Sequence, residues 1–190
     1  MNGRPVLALA LLLGAGAVAC AEPPTVDTPP GDAPDAGGSA FADTLVGYSV
    51  DGQPVTCTEG LAACGEPAGG ACAGDAGQAA VGPNDAMRFD LGAGGRIELA
   101  FRCGLILETG GAGGTISPDF KVWATVAAGA SAVVEVSFDG SRYRQLAWLD
   151  EADETFALEE LGEQQVRFVR IADTGPGGIA IDAVEALPVP

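Results

Sequence analysis

The stretch Arg96–Cys103 (RIELAFRC) alternates between apolar residues and polar or small ones over its whole length. Its odd-numbered residues, from Ile97 to Cys103, fall on one side of an extended chain, and its even-numbered residues fall on the other. Because successive side chains of a β-strand point to opposite faces, this period of two predicts an antiparallel strand with one face in a core. The stretch therefore favours a fold built from half-buried strands.

The same alternation recurs later in the chain. Four more segments are predicted strands: Phe120–Val126 (FKVWATV), Val133–Phe138 (VVEVSF), Val166–Ile171 (VRFVRI) and Ile179–Val184 (IAIDAV). In the second of these, Val134, Val136 and Phe138 are expected to face the core. Asp139-Gly140 is expected to turn the chain after it. Helical turns are expected only in Glu154–Leu161.

Glycine-rich segments separate these strands at Gly92–Gly95, Gly110–Gly114 and Gly175–Gly178. The chain holds 29 glycines and 13 prolines, and only 6% of its residues are aromatic, a composition that favours short strands and many turns. Evenly spaced strands joined by such turns predict an all-β fold, a sandwich or a barrel. A length of 190 residues is enough for one ordinary domain.

The charge composition excludes several functions. Nine Lys and Arg residues stand against 26 Asp and Glu residues, which gives a net charge of −17. Such a chain lacks the clustered positive charge that binding to DNA or RNA requires. It also contains no His, so it has neither an imidazole-based zinc site nor a Ser-His-Asp or Cys-His catalytic pair. No other pattern in the sequence predicts a catalytic residue.

The N-terminus predicts export and a lipid anchor. Residues 1–19 have the features of a signal peptide, because Arg4 precedes the 14-residue apolar run Val6–Ala19, which is shorter than the roughly 20 residues of a membrane-spanning helix. The run ends in Ala17-Val18-Ala19-Cys20, which resembles the lipobox of bacterial lipoproteins, with Cys20 as the acylated residue. Cleavage by the ordinary signal peptidase is the alternative, since Ala17 stands where that motif usually has Leu. The prediction is a protein held in the bacterial envelope, at the outer membrane or the cell surface.

A linker and a cysteine-rich segment follow. Residues 20–40 are rich in Pro, Gly and Asp and are expected to stay extended, whereas residues 41–190 form the predicted domain. Four cysteines remain after Cys20, namely Cys57, Cys64, Cys72 and Cys103. An even number in an exported chain predicts two disulfides, with three possible connectivities. One of them is expected to join the glycine- and alanine-rich loop to the strand that precedes Cys103.

Several segments resemble parts of discoidin-like, galactose-binding-like domains. The resemblance rests on Val134–Leu146 (VEVSFDGSRYRQL), Val166–Ile171 (VRFVRI), Pro118–Trp123 (PDFKVW) and Gly178–Leu187 (GIAIDAVEAL), and it covers about residues 82–187. The last two segments are similar to a bacterial cell-surface branch of that group. The resemblance implies an antiparallel β-sandwich of the jelly-roll type that binds ligands, often glycans, and often holds a structural calcium ion. The cysteine-rich segment is then an N-terminal extension of this sandwich.

Calcium is the one cofactor to consider. Asp119 and Asp182 match the pattern of the resembling domains, and Glu108 precedes the glycine loop that leads to Asp119. These three are candidate ligands because calcium prefers six to eight oxygen atoms. The alternative is that Asp119 and Asp182 accept hydrogen bonds from backbone N–H groups in turns.

Trp123 and Lys121 are candidate ligand-binding residues, because the alternation of their strand places both on the face opposite Phe120 and Val122. Trp148 is a second candidate, whereas Tyr143 is expected to be structural. The alternative for Trp123 is a ring covered by a loop. The acidic stretch Asp150–Glu163 is expected to be a solvated loop.

The sequence thus predicts a non-catalytic binding module for a carbohydrate or a surface partner, on a membrane-anchored lipoprotein. The alternative function is a structural or adhesive envelope protein that makes calcium-assisted contacts with other proteins. Binding to glycans would distinguish the first function, and a calcium-dependent melting temperature would favour the second.

Overall fold

The computed structural model describes residues 40–50, 53–57, 72, 76–110 and 117–188. Within them lie twelve strands: β1 (Thr44–Val50), β2 (Gln53–Thr56), β3 (Phe89–Asp90), β4 (Arg96–Ala100), β5 (Ile106–Leu107), β6 (Phe120–Val126), β7 (Ala132–Ser137), β8 (Arg144–Leu149), β9 (Thr155–Phe156), β10 (Gln165–Val166), β11 (Phe168–Asp173) and β12 (Ile179–Ala186). Two short 3₁₀ helices, Ala76–Ala80 and Leu158–Leu161, complete the regular structure, and the described residues contain no α-helix.

The strands form two main antiparallel sheets. One has six strands in the order β2-β1-β4-β11-β7-β8, and the other has four in the order β3-β12-β6-β9. A further pair, β10 and β5, stands apart from both. The inward side chains of both main sheets share one core, which includes Ile97, Leu99, Phe120, Val134, Ile171 and Ile181. The predicted antiparallel β-sandwich is therefore confirmed.

The first predicted strand is shorter than its sequence pattern. Strand β4 keeps the expected alternation from Arg96 to Leu99, but Ala100 is buried and the strand ends there and not at Cys103. The backbone N–H groups of Arg102 and Cys103 donate to the carboxylate of Asp43, at 2.8 and 3.3 Å, and not to a neighbouring strand. A side chain has replaced the sheet partner there, so the strand stops.

The run Val166–Ile171 was expected to be one strand, and this prediction was wrong. Val166 pairs with Ile106 in the small sheet, whereas Phe168 begins strand β11 of the six-stranded sheet. Arg167 lies between the two, and its N–H and C=O bond to Ser137 and Phe101. The chain therefore changes partners within the run, which the alternation does not reveal.

The prediction that Phe138 faces the core was also wrong. Its side chain is 52% exposed, and the buried residue at the end of β7 is Ser137. The turn begins at this point, because the Ser137 hydroxyl accepts a hydrogen bond from Gly140 N–H at 3.0 Å and donates to Asp139. Strand geometry ends before Phe138, so the alternation no longer determines where its ring lies.

The Asp139-Gly140 turn forms as predicted and joins β7 to β8. The carboxylate of Asp139 accepts hydrogen bonds from the N–H groups of Ser141 and Arg142, at 2.8 and 3.0 Å. These donors hold the pKa of Asp139 well below its ordinary value of 3.8. Gly140 has φ of 74°, and a Cβ there would lie 3.0 Å from the ring of Phe168, so the position requires glycine.

The N-terminal segment of the domain is part of the sandwich. Strands β1 and β2 extend the six-stranded sheet beyond β4, and a disulfide joins Cys57 to Cys72 within the hydrophobic core. Cys103 is also disulfide-bonded, and Cys64 lies outside the described residues. The expectation that the cysteines form disulfides is therefore confirmed for the described ones.

The predicted signal peptide and Cys20, with all but the last residue of the linker, lie outside the described residues, as do the predicted turn residues 111–114. Among the described residues, no helix has both the length and the apolar character needed to span a membrane. The segment Glu154–Leu161, where helical turns were expected, holds strand β9 followed by the 3₁₀ helix Leu158–Leu161.

Candidate binding surface

The outer face of the six-stranded sheet carries two rows of side chains. Cross-strand pairing aligns the first row, here called the tryptophan row, which consists of Trp148, Val133, Ala172 and Arg96 on β8, β7, β11 and β4. The same pairing aligns a second row of side chains, here called the charged row, which consists of Gln145, Glu135, Arg170 and Glu98 on the same four strands. The rows are two residues apart on β7 and β11, a distance of about 6.6 Å along a strand. They therefore form one continuous surface.

Arg170 is the centre of the charged row. Its Nε and Nη2 atoms donate to Glu98 at 3.2 and 3.1 Å, and its Nη1 lies 3.5 Å from a carboxylate oxygen of Glu135. The guanidinium carbon lies 3.4 Å from the centre of the Tyr143 ring. Each of these contacts restrains the same side chain, so the guanidinium is held in a fixed orientation.

Tyr143 lies on this outer face and not in the core, and it contacts two members of the charged row. Its hydroxyl donates to Glu98, which already binds Arg170. Burial of the hydroxyl, together with this bond, raises the pKa of Tyr143 above its ordinary value of 10.0. The tyrosine therefore stays neutral and keeps Glu98 in place.

Trp148 is the exposed aromatic residue of the tryptophan row. It lies on the edge strand β8, and 49% of its surface is exposed. Next to it along the row come the half-buried Val133 and Ala172, and then the exposed Arg96. Neighbouring strands are about 4.8 Å apart, so the row is about 14 Å long. From one end to the other, the row presents the indole ring of Trp148, then the side chains of Val133 and Ala172, here called the apolar floor, and then the guanidinium of Arg96.

This surface suits a flat molecule with one apolar face and several hydroxyl groups. An indole ring supplies a large apolar area with little loss of conformational entropy on binding. The amide of Gln145 and the carboxylates of the charged row offer hydrogen-bonding groups beside it. Sugar rings have both features.

Trp123 and Lys121 lie on the outer face of the other sheet, in β6. The Trp123 Nε1–H donates to Glu185 at 2.8 Å, and the ammonium of Lys121 lies 3.4 Å from the centre of the Trp123 ring. The ring is half-buried, and one of its faces is covered by the lysine. The structure thus brings Trp123 together with Lys121 but not with Trp148. None of these contacts tests the prediction from sequence that Trp123, Lys121 and Trp148 bind a ligand.

The three predicted calcium ligands do not form one cluster. Asp119 accepts from Thr109 N–H and Leu158 N–H, at 2.8 and 2.6 Å, and is buried. Asp182 is also buried, and it accepts from the N–H groups of Asp85 and Ala86. Glu108 accepts from Gly110 N–H at 2.7 Å.

Each of these carboxylates accepts hydrogen bonds from the backbone, which was the alternative interpretation of Asp119 and Asp182. Among the residues that the structure describes, no group of three Asp, Glu, Cys or His side chains is placed to hold a metal ion. Calcium binding stays a prediction that these contacts do not support.

A cavity of about 310 Å³ lies beside β8 and β9, lined by apolar side chains and by Thr155, Glu154 and Glu160. The carboxylate of Glu154 accepts from the N–H groups of Asp150 and Glu151, at 3.2 and 3.4 Å. Partial burial raises the pKa of Glu154. The Glu154 carboxylate thus stabilises the turn that begins at Asp150. The stretch Asp150–Glu163, which was predicted to be a solvated loop, therefore contains side-chain to backbone hydrogen bonds of its own.

Sequence reasoning missed the charged row as a unit. The alternation did place Glu98 on the polar face of its predicted strand, and the same signal was present for Glu135 and Arg170. Their strands β4, β7 and β11 are neighbours in space but not in sequence. Only the strand order brings the three charges together.

The comparisons with known proteins give one distant likeness. A solved structure described as the CBM32 of AlyQ in complex with 4,5-unsaturated mannuronic acid is 10% identical to this chain, with a TM-score of 0.40. The match covers 77% of this chain and 98% of that one. No protein-family model and no curated protein matches the chain.

Proposed function

We propose that this protein is a non-catalytic carbohydrate-binding module, and that sugars bind to the tryptophan row and the adjacent charged row. The observation that carries the proposal is the exposure of the Trp148 ring. The ring lies in one row with the apolar floor of Val133 and Ala172, and the polar side chains of the charged row lie beside it. Large exposed aromatic residues are a common feature of binding surfaces. The sugar ring is expected to lie on the indole with its hydroxyl groups toward the charged row.

The pairing of the two carboxylates at this surface supports binding without turnover. Glu98 and Glu135 are both paired with Arg170, so neither is free to act as the acid or the nucleophile of a glycosidase. Their fixed oxygens are suited instead to accept hydrogen bonds from sugar hydroxyls. We therefore expect no hydrolysis of any glycan that binds.

The test is a glycan array probed with the full-length chain in detergent, as wild type and as two matched variants. Trp148→Ala is expected to lower binding by about tenfold or more, because the residue is the proposed stacking platform. Trp123→Ala removes the other tryptophan, and it is expected to keep the binding of the wild type. Binding that is lost with Trp123→Ala and kept with Trp148→Ala would contradict the proposal, as would the absence of any bound glycan.

We also propose that the module is anchored to the bacterial envelope through Cys20, on the support of the sequence alone. Acyl chains on this cysteine would hold the protein at a membrane, since each buried methylene contributes about 0.8 kcal/mol. In cell fractionation, the wild type is expected with the membranes and Cys20→Ser in the soluble fraction. The same distribution for both proteins would contradict the anchor.

A further inference from the structure

Arg96 lies at the end of the tryptophan row opposite Trp148. It is the first residue of β4, and its side chain is exposed. Cross-strand pairing places it on the same face of the sheet as Trp148, with the apolar floor of Val133 and Ala172 between them. The indole and the guanidinium are therefore the two exposed ends of one row.

Arg96 has no acidic partner within the described part of the chain. Its guanidinium forms no ion pair, hydrogen bond or ring contact there. Its cross-strand neighbours are Ser49 on β1 and Ala172 on β11, and neither carries a charge. Because the side chain is exposed, its N–H groups are available to a ligand that approaches from solvent.

The charged row explains why the one carboxylate of β4 does not pair with Arg96. Glu98 lies two residues further along the strand, on the same face. One of its carboxylate oxygens accepts from Nε and Nη2 of Arg170, and the other accepts from the hydroxyl of Tyr143. Both oxygens are therefore occupied. Arg96 is left without a partner in a chain whose net charge is −17.

We propose that the tryptophan row binds an acidic oligosaccharide, with one sugar ring on Trp148 and the carboxylate of a uronic acid residue further along the sugar chain at Arg96. This inference rests on the proposed function, since it assigns a substrate class to the same surface. A guanidinium is planar, stays charged and donates two parallel hydrogen bonds, a geometry that matches a carboxylate. Such charge-assisted hydrogen bonds are roughly twice as strong as those between neutral groups.

The distance along the row requires an extended ligand. The strands of Trp148 and Arg96 are three spacings apart, about 14 Å, which exceeds the width of one sugar ring. The half-buried side chains of the apolar floor leave room for the sugars between the two ends. The negative charge of the chain opposes an acidic ligand only weakly, because at physiological ionic strength carboxylates on other faces are screened beyond about 8 Å.

The test probes the glycan array with the full-length chain in detergent, as wild type, Arg96→Gln and Arg142→Gln. The wild type is expected to retain oligosaccharides that contain uronic acids. Arg96→Gln is expected to lower their binding by about tenfold and to leave any binding of neutral glycans unchanged. Arg142 is also exposed and without a described ion pair, and it lies in the turn between β7 and β8. Arg142→Gln is therefore the matched control, and it is expected to bind like the wild type.

The outcomes separate this inference from the proposed function. Retention of neutral glycans alone, lost in Trp148→Ala, would overturn the acidic ligand and leave carbohydrate binding intact. Equal binding of uronic acid oligosaccharides by the wild type and Arg96→Gln, or an equal loss in Arg142→Gln, would overturn the role of Arg96. The absence of any bound glycan would overturn both proposals. Arg96→Lys keeps the charge without the planar fork, and it is expected to retain part of the binding.

Ligand length and charge are tested by calorimetric titration. The uronic acid oligosaccharide that the wild type retains most strongly is compared with its methyl ester and with its monosaccharide. The ester is expected to bind the wild type about tenfold more weakly than the acid does, and to bind Arg96→Gln as well as the wild type. The monosaccharide is expected to bind both proteins equally, since it does not span the row. Tighter binding of the monosaccharide by the wild type than by Arg96→Gln would contradict the extended placement.

Discussion

Arg170 contacts two carboxylates and an aromatic ring, and its removal tests how the outer face is stabilised. It separates Glu98 from Glu135, and it packs on Tyr143. Arg170→Ala would leave two carboxylates on adjacent strands without a cation between them. We expect a loss of about 1–3 kcal/mol in the free energy of unfolding, measured in urea.

Arg144→Ala is the matched control for this substitution. Arg144 pairs with Glu163 at 2.5 Å, but the side chains are 53% and 36% exposed. Exposed pairs of this kind contribute about 0–1 kcal/mol. Equal losses for the two variants would show that the contacts of Arg170 add nothing beyond an ordinary surface ion pair.

Asp139 gives a prediction for the dependence of stability on pH. Its pKa in the folded protein lies below its ordinary value of 3.8. The charged form therefore stabilises the folded state above that value, and this stabilisation is lost as the pH falls through the folded pKa. Asp139→Asn keeps an acceptor oxygen in the turn and does not titrate. The stability of the wild type relative to this variant is expected to decline from about pH 5 to pH 2. A constant difference over that range, measured in urea, would contradict the assignment.

The connection that leads into strand β4 contains a glycine, Gly95, with no room for a side chain. Substitution there tests the backbone geometry of this connection directly. A Cβ at Gly95 would lie 1.5 Å from the carbonyl oxygen of Leu91, which is backbone and cannot move aside. Gly95→Ala is therefore expected to destabilise the protein by more than about 2 kcal/mol or to prevent folding. Gly175→Ala serves as the control, since the nearest atom to its Cβ outside the adjacent residues would be a carboxylate oxygen of Asp173 at 3.9 Å. Equal unfolding midpoints for the two variants would contradict this geometry.

The sequence identified most of the individual strands but not their arrangement. Phe120–Val126 was predicted with the same bounds as β6, because its side chains alternate along an uninterrupted strand. The run Val166–Ile171 alternates equally well, yet Arg167 divides it between two sheets. Strands β1 and β2 were not predicted. Local periodicity indicates that a segment forms a strand. Which strands pair with each other depends on contacts between segments that are distant in the sequence.

The disulfide between Cys57 and Cys72 closes a loop with a sequence separation of 15 residues. A loop of this length predicts a stabilisation of about 3 kcal/mol through restriction of the unfolded chain. The double variant Cys57→Ser, Cys72→Ser is expected to lose about that amount, measured by denaturant unfolding under oxidising conditions. A loss below about 0.5 kcal/mol would show that the loop contributes little to the domain.

The candidate surface could be predicted only in part. Trp148 was a candidate from sequence, but its partners on the tryptophan row come from three other strands. Trp123, with Lys121, was the stronger candidate from alternation, and the pattern correctly placed it on an outer face. The pattern could not show that Lys121 covers its ring, because a cation–ring contact depends on side-chain orientation.

The presence of only two tryptophans in the chain allows a direct test of where a sugar binds. In Trp123→Phe the emission comes from Trp148 alone, and in Trp148→Phe it comes from Trp123 alone. Each variant is titrated with the oligosaccharide that the array retains most strongly. We predict a saturable change of tryptophan fluorescence in Trp123→Phe and none in Trp148→Phe. A change confined to Trp148→Phe would contradict the assignment of the binding surface to the outer face of the six-stranded sheet.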